Sequence, residues 1–117
     1  MKARHLALAA VALALAGYAG WYYLTAPDGG ELFRKMGCIR CHVFRGVGEG
    51  DIDISSVSRK WSRARIMEHI RDPARTDPDI AMPSFAFLSD RELRALAEYL
   101  SSPQPPPRRR NPAPARP

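Results

Sequence analysis

From Leu6 to Leu24 the chain runs for nineteen residues without a charge, seventeen of them apolar and the other two Gly17 and Gly20. Coiled as an α-helix this run is about 28 Å long, close to the hydrocarbon thickness of a bilayer, and it has no polar face with which to sit on a soluble core. Lys2 and Arg4 precede it and no basic residue comes directly after it. That asymmetry predicts the N-terminus in the cytoplasm and the rest of the chain outside. Trp21, Tyr22 and Tyr23 close the run, where amphipathic rings settle at the membrane interface. The competing reading is a cleaved export signal, since Gly17 and Ala19 permit cleavage before Gly20; an h-region of roughly 7 to 15 residues is shorter than this one. Both readings export the remainder of the chain.

Residues 1–24 are therefore set apart as an anchor, and the composition changes twice more. From Pro103 to Pro117, seven of fifteen residues are proline and four are arginine, a tail with nothing to bury and a bias to solvated polyproline II. Residues 25–102 remain as the folding unit. The net charge of +6 suggests an acidic partner such as nucleic acid until the charges are located. Lys2, Arg4, Arg108, Arg109, Arg110 and Arg116 account for all of it, and residues 25–102 carry twelve basic and twelve acidic side chains. Nucleic-acid binding loses its support.

The signals within 25–102 are helical. Asp28 is placed to cap a short helix over Gly29 to Gly37 with Leu32, Phe33 and Met36 on its apolar side. Ser62 to Arg71 carries Ile66 and Ile70 one turn apart and is stopped by Pro73. Ser89 and Glu92 make a capping box before Leu93, Leu96, Ala97 and Leu100, which repeat at helical spacing. No alternating stretch predicts a strand, and the class is all-α with three to four short helices. Val43 to Ser58, with Gly46, Gly48 and Gly50, is a long connection for so small a unit. Three helices make a thin core, which points to a group other than protein in the middle.

Cys38-Ile39-Arg40-Cys41-His42 is a CxxCH sequence, the attachment signature of c-type haem. Two thiols three positions apart on one turn can each join one edge of a porphyrin, and the next residue then brings an imidazole beneath the iron. A thioredoxin-like pair opens a helix after a strand, whereas this pair comes after a helix with no strand before it. A zinc site needs four ligands, and His69 is the one further candidate of the usual type in the unit. A disulfide between cysteines this close is geometrically awkward. A second axial ligand is expected in an electron carrier, and Met82, with Pro83 directly after it in a loop from Asp77 to Phe87, is the candidate. His69, Met67 and an open position stand as alternatives, while Met36 adjoins the attachment site on the wrong side.

These residues together resemble the class I monohaem cytochrome c family. The resemblance runs from Gly29 to Ser102: Gly29-Gly30-Glu31-Leu32-Phe33 before CxxCH, a glycine-rich loop, a middle helix, Met82-Pro83-Ser84-Phe85, and Leu88-Ser89-Asp90-Arg91-Glu92-Leu93 opening a helix that ends Glu98-Tyr99-Leu100. It implies haem c held through two thioethers from Cys38 and Cys41, iron ligated by His42 and Met82, and first and last helices crossing with Gly29 and Phe33 against Leu96 and Tyr99. The family often has a proline after the glycine-rich loop whose carbonyl takes the proton of the haem histidine. Gly50-Asp51-Ile52-Asp53 has none, which leaves a backbone carbonyl near Ile52 for that task. The resemblance also suggests Trp61 and either Arg71 or Arg75 as partners of the haem propionates.

The functional expectation is an electron carrier rather than an enzyme: a membrane-tethered cytochrome on the periplasmic face of the inner membrane, passing single electrons between a quinol-oxidising complex and a terminal oxidase or reductase. An anchored haem subunit of a larger oxidoreductase is the alternative. A haem sensor with a displaceable Met82 is the third.

Overall fold

The computed structural model describes residues 1–103, so most of the Pro/Arg-rich tail lies outside the described residues. Helix α1 spans Lys2–Leu24, and none of its residues is buried; it is long and apolar enough to cross a membrane. The remaining elements in chain order are α2 (Gly29–Lys35), a 3₁₀ turn (Cys38–Arg40), β1 (His42–Val43), β2 (Ile52–Asp53), α3 (Val57–Lys60), α4 (Arg63–Arg71), α5 (Pro73–Thr76) and α6 (Asp90–Ser101).

The helix starts are set by local chemistry. The Asp28 carboxylate accepts from the Glu31 backbone N–H at 2.8 Å, the Ser62 hydroxyl from that of Arg65 at 3.2 Å, and Ser89 and Glu92 form the reciprocal pair of a capping box. Each satisfies backbone donors that a first turn otherwise leaves unpaired. Pro73 ends the run of α4 and then occupies the first turn of α5, where its missing N–H costs nothing.

Helix α6 packs against both α2 and α4. Its apolar stripe of Leu93, Leu96, Ala97 and Leu100 meets Leu32 and Phe33 from α2 and Ile66 and Ile70 from α4, with Phe44, Phe85 and Leu88 closing the core. The α2–α6 crossing is close because position 29 has no side chain. A Cβ there would lie 2.7 Å from Tyr99 Cβ and overlap the Ala95 carbonyl. Gly29 thus meets Ala95 and Tyr99, and the Phe33 ring stands 5.8 Å from that of Tyr99.

Two features depart from the sequence-based expectation. The helical segments after α1 number five among the described residues, because α3 and α5 are single turns of four residues each. The glycine-rich segment is ordered by protein as well: β1 and β2 pair in parallel, His42 opposite Ile52 and Val43 opposite Asp53. Glu49, Ile52 and Ile54 donate their N–H groups to the carbonyls of Ile39, Cys41 and Val43 at 2.8, 3.1 and 2.9 Å. Gly48 permits this return. Its φ is +126°, and a Cβ would overlap the His42 carbonyl, so both conformation and space require glycine.

Candidate functional site

One cavity of about 900 Å³ opens between the CxxCH turn, α3, α4 and the segment before α6, a volume at the upper end of what small-molecule and cofactor pockets provide. Cys38, Cys41, His42 and Met82 all line it. The first three come from the turn after α2 and from β1. Met82 comes from residues 77–89, which hold no helix or strand. Phe33, Ile66, Ile70, Phe85, Leu96 and Leu100 supply apolar wall, so the cavity and the core share one set of side chains.

Both thiols are free, Cys38 half-buried and Cys41 exposed. Burial pushes the Cys38 thiol up from its ordinary value, opposed by a backbone hydrogen bond, so it stays protonated at neutral pH. Burial lowers the His42 imidazole, and the Ile52 backbone opposes that shift. A neutral ring is the form that binds a metal. His42 Nδ1 is enclosed and has no hydrogen bond of regular geometry among the described residues. The Ile52 backbone, beside His42 in the β1–β2 pair, is the group that favours the protonated ring.

The alternatives raised by the sequence separate here. Met67 packs against the core and is absent from the cavity lining, whereas Met36 and His69 line it. His69 is engaged: its Nδ1 meets the Thr76 hydroxyl, which donates in turn to the Pro73 carbonyl at 2.9 Å. The His69 ring also lies 4.8 Å from Trp61. Among the described residues no three or more His, Cys, Asp or Glu side chains converge as a metal site, and the zinc reading finds no ligand set.

Arg71 and Arg75 lie beside acidic side chains. Arg71 is paired with Asp90 and Arg75 lies 3.7 Å from Glu68, and neither lines the cavity, although Trp61 does. The cations on the cavity wall are Lys35, Arg40 and Lys60. Sequence reasoning missed them because no motif marks them. Arg40, inside CxxCH, carried the one readable signal of proximity.

The donor set fits a covalently held haem: two free thiols, an enclosed imidazole with one nitrogen unpaired, a thioether from a separate segment, and apolar walls around all four. A family model for cytochrome c oxidase, cbb3-type, subunit III matches residues 25–100. Neither the curated proteins nor the solved structures compared with the chain give a match.

Proposed function

The chain belongs to the cytochrome c oxidase, cbb3-type, subunit III family, and on that premise we propose that it is a membrane-tethered monohaem cytochrome passing single electrons on the outer side of a membrane. With two cysteines in the whole sequence, there is one attachment site and one haem. The observation that carries the reading is the convergence of Cys38, Cys41, His42 and Met82 on a single apolar cavity.

When bound, the haem supplies a one-electron couple, and methionine with histidine ligation raises its reduction potential. The protein's part is to hold and shield. Cys38 and Cys41 would hold the haem through their thiols, and His42 and Met82 would give its iron a nitrogen and a sulfur ligand. The β1–β2 pairing sets Ile52 beside His42, while Phe85, Ile66 and Leu96 exclude water. Cys41 is exposed at the surface, so a group held there would be open to a redox partner. The tether confines encounters with a partner to the plane of the membrane and raises effective concentration.

Methionine ligation is tested by Met82→Ala in the oxidised holoprotein, which is expected to lose the sulfur-to-iron charge-transfer band at the red end of the spectrum while keeping covalent haem. A surviving band would overturn Met82 as the ligand and require another sulfur, Met36 being the other methionine on the cavity wall. A haem-stained gel of membrane and soluble fractions tests attachment and anchor together.

The family match favours a second arrangement, in which the chain is a subunit of a respiratory oxidase rather than a free carrier between a quinol-oxidising complex and an oxidase. Purification in mild detergent separates them: a stoichiometric oxidase complex supports the subunit, and isolation alone supports the carrier.

A further inference from the structure

A second, smaller pocket of about 310 Å³ lies where the end of α1 meets α6, with Tyr22, Tyr23, Pro27, Arg91, Arg94 and Glu98 in its lining. Arg91 crosses from α6 to the anchor. It donates to the Tyr22 carbonyl and lies 3.5 Å from the Thr25 hydroxyl, with its guanidinium 3.9 Å over the Tyr22 ring. These contacts cover one side of a group that carries five N–H donors. Arg94, exposed, makes no hydrogen bond or ion pair among the described residues. The pocket's carboxylate is partnered, since Glu98 lies 3.4 Å from Arg63. The lining therefore presents two guanidiniums and one acid already paired away.

Its depth sets what can reach it. Trp21 and Tyr23 are 61% and 76% exposed at the end of an otherwise apolar helix, the place of headgroup-level aromatics in a spanning segment. Arginine forks match phosphate oxygens, and basic pockets beside spanning helices are suited to lipid headgroups. Because residues 25–102 balance twelve basic against twelve acidic side chains, the domain as a whole gives no attraction to an anionic surface. Any such attraction is local.

We propose that Arg91 and Arg94 bind the phosphate of an anionic phospholipid in the leaflet facing the haem domain, so that the lipid and the Arg91–Tyr22 contact together fix the domain's tilt on the membrane. This rests on the reading of α1 as a spanning anchor. The test uses the full-length holoprotein reconstituted in phosphatidylglycerol or phosphatidylcholine vesicles, released in mild detergent and weighed by native mass spectrometry. Wild type is expected to retain phosphatidylglycerol at least fivefold more than Arg94→Gln, with unchanged haem absorption in both. Glu98→Gln, which keeps both guanidiniums, retains at least as much as wild type. Equal retention by wild type and Arg94→Gln overturns the site, as does complete displacement of the lipid by millimolar inorganic phosphate, which would mark a free-anion site. Flotation isolates the anchor: failure to float with phosphatidylcholine vesicles overturns the spanning reading and this proposal with it, whereas flotation with equal lipid retention overturns the lipid site alone.

Discussion

A single methyl group at position 29 tests the closest approach in the fold. A Cβ there overlaps the Ala95 carbonyl, a backbone group that can yield only if α6 moves as a whole. Gly29→Ala is expected to destabilise the holoprotein by about 1–3 kcal/mol, the range for overpacking, measured as a lowered urea midpoint at unchanged slope. His69 supplies a pH-dependent counterpart. Burial, then Arg65 and His42, lower its pKa below 6.5, with Asp77 opposing. The unfolded chain thus binds the proton more readily than the folded one, and stability rises with pH between the folded value and 6.5. Below 6.5 that stability is progressively lost. His69→Gln should flatten the slope of urea midpoint against pH in this window relative to wild type. At this scale Cys38, Cys41 and His42 are readable because their spacing is itself the chemistry. The pairing of Arg71 with Asp90 and of Arg75 with Glu68 was not readable, because exposed guanidiniums choose partners through the tertiary arrangement. Arg40 and Lys60, no different in local sequence signal, reach the cavity instead.

Among the elements, α6 rests most plainly on local chemistry. The Ser89 backbone and then its side chain hold the Glu92 carboxyl below its ordinary 4.5. Ser89→Ala removes one half of the box and is expected to cost about 1 kcal/mol, within the usual range of roughly 0.5–2 kcal/mol for a lost cap. The sign with pH is set by the depressed carboxylate. Its contribution is present above 4.5 and is lost as pH falls through the lowered value; the variant keeps the backbone's share and loses the hydroxyl's, so the gap between wild type and variant should narrow in part in acid, read by thermal unfolding at about pH 7 and about pH 3. The same locality explains how far the sequence alone reached. Capped helices with an apolar stripe, α2, α4 and α6, lie within two or three residues of their expected limits. The single turns α3 and α5 and the two-residue strands lack any period to detect. The strands form because the chain returns through Gly48 and lays Ile52 beside His42, a contact across the loop that no local window contains.

For the whole molecule the decisive quantity is the imbalance between core and cavity. Helix α6 between α2 and α4 gives eleven buried hydrophobic residues, yet Phe33, Ile66, Ile70, Phe85, Leu96 and Leu100 also border the 900 Å³ cavity. The cavity is open to solvent, and its apolar wall is made of the same side chains as the core. On the reading proposed above, a haem held by Cys38 and Cys41 would fill this space and complete the core. Replacing both cysteines by serine in the full-length chain is expected to leave a compact, helix-rich state without fixed packing: far-UV circular dichroism largely kept, near-UV signal lost, hydrophobic dye bound and cooperative unfolding absent. The helices persist because their caps and apolar stripes are local, whereas Ile66 and Ile70 of α4 and Met82 and Phe85 of residues 77–89 line the cavity and lack a protein partner on that side. A double-serine chain that unfolds cooperatively at the wild-type midpoint would show that the protein core suffices alone, and the cavity would then need another explanation.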